Sequence, residues 1–274
     1  MDTTAVFGAE RPVVGMVHLP PLPGAPRYDA DGGREAIRDA VRRDAERLDA
    51  GGVDALLVEN FGDAPFYPDS VPRHVVADLT ALVGTVREVT DRPVGVNVLR
   101  NDGPGAVAVA AATDASFVRV NVHVGARVAD QGVLEGRAHE TTRLRERVDT
   151  DVALLADLDV KHSAPLGADA SDVPALTGEA ADRGLADGVV VTGDGTGHTT
   201  DLGTVRAVTE RRDGTGRDLP VFVGSGVTAD TVGDALSVAD GVIVGSALER
   251  GGEAGNAVSV DRVEELVAAA DAVR

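Results

Sequence analysis

Short runs of aliphatic and β-branched residues alternate with longer amphipathic stretches eight times along the 274-residue chain, the pattern of parallel βα units. The strand candidates are 13–19, 53–59, 93–99, 117–123, 152–159, 188–192, 219–224 and 241–245. Helix candidates lie near 34–50, 72–90, 103–113, 134–147, 172–184, 201–212, 228–238 and 259–273. Asp172 before Val173-Pro174 is an N-terminal cap, and Gly51 and Gly184 stand where helices must end. Strand starts recur every 20 to 40 residues or so, with no linker and no low-complexity segment. Eight such units predict one α/β domain over residues 1–274, a single (β/α)8 TIM barrel, in preference to an open doubly wound sheet.

The period-two alternation within strands fixes which side chains face inward. Over 117–123 the valines take one face and Arg119, Asn121 and His123 the other. Helices cover the outside of a barrel, so the polar face points in. By the same parity Val94, Val96 and Val98 leave Gly95 and Asn97 inside, while Ala153, Leu155, Asp157 and Asp159 share a face. Barrel interiors are ordinarily aliphatic, and a polar upper layer has a cost that stability does not justify. A buried arginine also needs a partner, so Arg119 and Asp157 are expected to form an ion pair inside the barrel.

Composition narrows the class. The chain is 43% hydrophobic but only 3% aromatic, and it has no cysteine, which excludes disulfides and cysteine-ligated metal sites. No apolar run approaches the ~20 residues that span a bilayer, and the first eleven residues are polar with two acids, unlike a signal peptide. The expectation is a cytoplasmic protein without integral membrane contact. A net charge of −19 repels phosphate backbones and anionic lipids, so nucleic acid is not an expected partner. Lys161 is the one lysine among 26 basic residues; an acidic protein rich in arginine fits a salt-rich, halophilic cytoplasm, and GC-rich codon usage gives the same bias.

The C-terminal ends of barrel strands are where barrel enzymes place their chemistry. Those ends collect His18, Glu59, Asn60, Asn97, Asn121, His123, Asp157, Asp159, Lys161, His162, Thr192 and Ser225, including three of the chain's five asparagines and its lone lysine. A lysine amine can lose its proton or form an imine, which arginine cannot. After the seventh and eighth strands, Gly224-Ser225-Gly226 and Gly245-Ser246 form two small turns, each leading to a helix N-terminus, a cradle of backbone N–H groups for phosphate. After the sixth strand, Gly193, Gly195, Thr196 and Gly197 suit a lid loop that closes on ligand, with Thr200 or Asp201 capping the next helix. No cofactor is expected. Glu59, Asp157, Asp159 and the histidines could build a divalent metal site, but no H-x-x-x-H spacing supports one.

Several blocks resemble the BtpA family, which includes SgcQ-type proteins: Gly15-Met16-Val17-His18-Leu19-Pro20-Pro21-Leu22-Pro23-Gly24-Ala25-Pro26, Val58 through Phe66, Asp159-Val160-Lys161-His162-Ser163 and Val223 through Val227. The likeness runs over nearly the whole chain. It implies a ribulose-phosphate-binding type of barrel, a link to sugar metabolism through the SgcQ branch, and, through the family's name, photosystem I biogenesis. Residues and resemblance together point to an enzyme that moves a proton on a phosphorylated sugar or nucleoside-derived sugar phosphate, an isomerase or epimerase. Glu59, Asp157 or Asp159 would be the acid or base, with His18 at the same rim; Lys161 would polarise a carbonyl with His162 as proton partner, and Asn97 and Asn121 would orient hydroxyls. Alternatives are an aldolase or lyase using Lys161 and a non-catalytic assembly factor. The expected partner is a small phosphorylated molecule, and a homo-oligomer is compatible with the sequence.

Overall fold

The computed structural model describes residues 1–160, 162–166, 172–193, 200–213 and 218–274. In chain order its strands are β1 (Val13–His18), β2 (Ala55–Glu59), β3 (Val94–Asn97), β4 (Phe117–Val120), β5 (Ala126–Ala129), β6 (Gly132–Glu135), β7 (Ala153–Asp157), β8 (Ser163–Pro165), β9 (Gly188–Thr192), β10 (Val221–Gly224) and β11 (Gly241–Val244). Eight of them close into a parallel barrel in the order β1-β11-β10-β9-β7-β4-β3-β2, the TIM-barrel fold expected from the alternation. Helices α2 (Gly33–Gly51), α3 (Arg73–Arg87), α4 (Gly103–Thr113), α5 (Ala138–Arg147), α6 (Val173–Gly178), α7 (Leu202–Asp213), α8 (Val232–Leu236) and α9 (Val260–Asp271) follow the barrel strands in turn. The outward strand residues, such as Val17, Val58, Val96 and Val118, pack with Val41 and Leu48 of α2 and Leu79 and Val83 of α3 into one continuous apolar layer.

The inward residues form a second cluster with a different composition. Its floor holds Phe117 and Phe222 from opposite walls, and a short N-terminal helix, α1 (Thr3–Phe7), inserts Phe7 between them. The ring centroids of Phe7 lie 4.9 Å from Phe117 and 5.3 Å from Phe222. Gly95 makes room for this packing: a Cβ there would stand 2.3 Å from the Phe117 ring. Three aromatic rings thus close the N-terminal end of the barrel, and the C-terminal end stays open.

Two departures from the expected elements matter for the site. Residues 124–135, next to the expected helix start at 134, fold instead as a β5–β6 hairpin, and α5 begins only at Ala138. Gly125 and Gly132 supply the left-handed conformations that the hairpin needs, at φ +71° and +102°. β8 joins β5 on its other edge to make a three-stranded sheet. The second departure is length: β4 ends at Val120 and β7 at Asp157, so the parity read for residues 121–123 and 158–159 runs past the ladder.

Candidate functional site

Strand register sets the upper layer of the barrel. His18 lies beside Glu59, Glu59 beside Asn97, and Asn97 beside Arg119. Inward parity therefore delivers an imidazole, a carboxylate, an amide and a guanidinium side by side at the open end. Above them is a cavity of about 730 Å³ whose polar lining includes His18, Glu59, Arg100, Arg119, Asn121 and Ser225.

His18 Nδ1 lies 2.6 Å from Oε1 of Glu249, a residue of the loop after β11 that is 1% exposed. A carboxylate accepts, so Nδ1 donates, and the bond orients the ring. The other oxygen of Glu249 accepts from the Gly255 N–H at 2.8 Å. His18 Nε2 is left facing Glu59 Oε1 at 3.8 Å, while Glu59 Oε2 accepts from Asn97 Nδ2 at 2.7 Å. The imidazole also packs on Phe61, with centroids 4.6 Å apart. Gly245 is a glycine because of this ring: a Cβ there would come 2.8 Å from His18 Cε1. An imidazole held by one buried carboxylate and facing a second is the arrangement of an oriented acid–base residue. Sequence reading placed His18 and Glu59 at this rim and missed Glu249.

The expected ion pair is present. Arg119 Nε donates to Asp157 Oδ1 at 2.8 Å and Nη2 to Oδ2 at 2.9 Å, and Asn121 Nδ2 adds a third bond to Oδ2 at 3.0 Å. Both charged side chains are buried. Burial, the largest influence, pulls against the Arg119 charge, but the charge and hydrogen bonds of Asp157, with Glu59 beyond, outweigh it and raise the guanidinium above its ordinary pKa. With both oxygens engaged, Asp157 holds the cation in place. Arg100, which the sequence reading also missed, is buried at the cavity wall; burial lowers its pKa, against the pull of Glu59 and Asp157. The amide oxygens Asn97 Oδ1 and Asn121 Oδ1 are buried without a hydrogen-bond partner.

Ser225, Gly226, Gly245 and Ser246 all line the cavity on the side of β10 and β11. Ser225 and Gly226 take successive left-handed conformations, φ +76° and +69°. A non-glycine residue there is uncommon and carries strain, a feature that clusters at ligand-binding turns. Thr200 Oγ1 donates to the carbonyls of Gly224 at 3.0 Å and Ser225 at 3.2 Å, tying down the turn. Asp201 caps α7 through the Gly203 and Thr204 N–H groups. Gly224 does not line the cavity; a Cβ there would stand 3.0 Å from Val190, 3.2 Å from Thr192 and 3.8 Å from Arg119 Nη2.

Other candidates divide. His162 is exposed at the cavity edge with φ +60°. Asp159 does not line the cavity: it pairs with Arg127 of β5, which also donates to Ser163 Oγ. His123 turns outward, and its Nε2 donates to the Gly184 carbonyl at 2.7 Å; the inward reading of this residue is corrected, because it lies beyond the end of β4. Asn60 braces two loops, accepting from the Leu99 N–H at 2.7 Å and donating to Asp63 at 3.0 Å. Lys161 and the lid residues Gly195, Thr196 and Gly197 lie outside the described residues; Gly193 is described and buried. Among the described residues no three His, Cys, Asp or Glu side chains are grouped to hold a metal ion, and no helix is long and apolar enough to cross a membrane.

Among solved structures, the fold is similar to N-(5'-phosphoribosyl)anthranilate isomerase from Pyrococcus furiosus, with a TM-score of 0.59 and 16% identity over 96% of this chain and 100% of that one. It is similar to the same degree to a tryptophan synthase structure from Mycobacterium tuberculosis, with a TM-score of 0.59, 17% identity, and 95% and 93% of the two chains covered. At such identities the likeness speaks for the fold. In sequence the chain is 42% identical over 272 residues to the photosystem I biogenesis protein BtpA of Synechocystis sp., covering 98% of this chain and 91% of the relative. Residues 9–272 match the BtpA family, to which this chain therefore belongs.

Proposed function

We propose that this protein is an enzyme that moves a proton on a phosphorylated sugar or nucleoside-derived sugar phosphate, next to a carbonyl, as an isomerase or epimerase does. The observation that carries the reading is the Glu249–His18 pair facing Glu59 at the lip of a cavity whose adjoining edge is the strained Ser225–Gly226 turn. The turns after β10 and β11 hold the phosphate through backbone N–H groups. Glu59 Oε1, the oxygen that Asn97 leaves open, takes the proton from carbon. His18 Nε2, aimed by Glu249, exchanges a proton with the neighbouring oxygen. Arg119 and Arg100 supply fixed positive charge beneath the enediolate that develops between them.

In the lyase branch of this reading Lys161 forms an imine with the carbonyl, and borohydride reduction in the presence of substrate would trap it. The name of the Synechocystis relative supports a second reading, a non-catalytic assembly factor. The deciding experiment incubates the protein in D₂O with a panel of aldose and ketose phosphates and follows deuterium at the carbon beside the carbonyl by NMR. The proposal expects wash-in that His18→Gln and Glu59→Gln abolish and that Glu249→Gln slows by ~10²–10⁴-fold. Neither exchange nor binding with any member of the panel would sink the enzyme reading and leave the assembly factor.

A further inference from the structure

Aromatic residues are scarce in this chain: five phenylalanines, two tyrosines and no tryptophan among 274 residues. Three of the phenylalanines, Phe7, Phe117 and Phe222, are consumed by the barrel floor. The other two, Phe61 and Phe66, both line the cavity and are both only partly buried. With them on the same side of the cavity stand Pro20, Pro21 and Leu99. This apolar wall is built from the loops after β1, β2 and β3, and it is fixed rather than loose. The Gly62 N–H donates to the Leu19 carbonyl at 3.0 Å, the Leu22 N–H to Asp63 at 2.8 Å, and Asn60 links both to Leu99.

The wall has a definite position relative to the chemistry. Around the rim the order is β10 and β11 with the glycine turns, β1 with His18, β2 with Glu59 and Phe61, then β3 with Leu99 and Arg100. The acid–base pair thus stands between a phosphate cradle and an aromatic wall, and the contact of Phe61 with the His18 ring joins the pair to the wall. Size agrees. A pentose phosphate has about 14 heavy atoms, which would fill at most roughly 420 Å³ even at the ~30 Å³ per atom of liquid water. The cavity of about 730 Å³ leaves a substantial remainder, and what borders the apolar side of that remainder is phenylalanine, proline and leucine.

Resting on the sugar-phosphate reading, we infer that the substrate is a phosphorylated sugar that carries, besides the carbonyl at which the proton moves, a planar aromatic substituent, whose ring seats against Phe61, Phe66 and the Pro20–Pro21 wall; nucleoside monophosphates share its phosphate, sugar and ring and serve as non-reacting binding probes. Stacking on phenylalanine accepts any flat ring face, and proline and leucine cover it without offering hydrogen bonds, so the wall selects for an aromatic substituent rather than for one particular base.

Calorimetry with ribose 5-phosphate, AMP, UMP and adenosine tests this on the whole protein. At least one nucleotide should bind about ten-fold or more tighter than ribose 5-phosphate, and adenosine should bind weakly because it lacks the phosphate. Phe66→Ala should bring the nucleotide-to-ribose 5-phosphate affinity ratio close to one. Phe66→Leu, which keeps apolar bulk but removes the π face, should give an intermediate ratio, with thermal melts confirming that both variants fold. Ser225→Asp should abolish binding of every phosphorylated probe. If ribose 5-phosphate binds and both nucleotides bind no tighter, the aromatic seat is overturned and the sugar-phosphate reading stands. Binding of none of the phosphorylated probes overturns both. A nucleotide preference that survives Phe66→Ala unchanged places the ring elsewhere and also overturns the inference.

Discussion

Asp157→Asn tests a buried charge pair inside the barrel. Asp157 receives two bonds from Arg119 at 2.8 and 2.9 Å and one from Asn121 at 3.0 Å, in side chains 1% and 7% exposed for the ion pair. The amide is nearly isosteric, so no cavity forms, but it removes the countercharge and turns a donor toward the guanidinium and Asn121. Breaking one side of a buried ion pair ordinarily costs ~3–5 kcal/mol, because the remaining charge stays desolvated. At ~2–4 °C per kcal/mol for a domain of about this size, the melting temperature should fall by roughly 6–20 °C. Circular dichroism at 222 nm during a thermal ramp measures it. The double variant Arg119→Met with Asp157→Leu should recover most of the loss, since replacing both charges by apolar groups is often neutral. Among the described residues, Glu59 is the other carboxylate whose charge acts on Arg119. A melting temperature within about 2 °C of the parent for Asp157→Asn would mean that Glu59 or water already compensates the arginine, and the account of the pair as an isolated unit would be refuted.

Two further predictions concern conditions. His123 is neutral in the fold: burial lowers its pKa below 6.5, its Nε2–H is committed to the Gly184 carbonyl, and Nδ1 is buried without a partner. Below pH 6.5 the unfolded state therefore binds a proton that the folded state does not, so this stabilisation is complete above pH 6.5 and is lost progressively as pH falls toward the folded pKa. Urea midpoints from pH 7.5 to 5 should drop less steeply in His123→Phe than in the parent, and equal slopes would refute the assignment. The excess of 45 acidic over 26 basic residues should make the fold salt-dependent. Raising KCl from 0.1 to 1 M shortens the screening length from about 10 to 3 Å, and the melting temperature should rise; a flat or falling curve would remove salt adaptation as the reason for the acidity.

The barrel was legible because its signal is local. Valine at every second position marks a strand whose outer face is covered by helices, and eight repeats of it leave few topologies. The same parity located Arg119, Asn97 and Asp157, and the rule that buried charge needs a partner predicted which two would meet. It failed where the ladder stops. β4 ends at Val120 and β7 at Asp157, with one further backbone bond from Leu158 to Val190, so beyond them alternation no longer dictates direction: Asn121 still points inward, but His123 and Asp159 turn to Gly184 and Arg127. The β5–β6 hairpin escaped for a related reason, since its alternation is only four residues per strand and abuts a helical pattern.

Glu249 shows the deeper limit. It stands 231 positions from His18, in the charged, glycine-rich segment Glu249-Arg250-Gly251-Gly252. Nothing within that loop distinguishes a carboxylate that is 1% exposed from one in water. What buries it is closure: β1 pairs with β11, so the first strand's terminal residue and the last strand's following loop become neighbours only when the sheet joins its own edge. The loop is then folded back by the Glu249–Val258 bridge and the Arg250 N–H bond to Ala257, which fixes the Gly255 N–H on the second carboxylate oxygen. Two constraints on the partner of His18 nonetheless lie in the sequence and the barrel topology. Closure places the chain after the eighth strand beside the end of the first, and a histidine at that end requires an orienting acceptor if it is to transfer protons. The loop at this seam carries two carboxylates, Glu249 and Glu253, and the buried one is the partner of His18. In a closed barrel the partners of a rim residue are better sought by strand adjacency, with the last strand counted as neighbour of the first, than by distance along the chain.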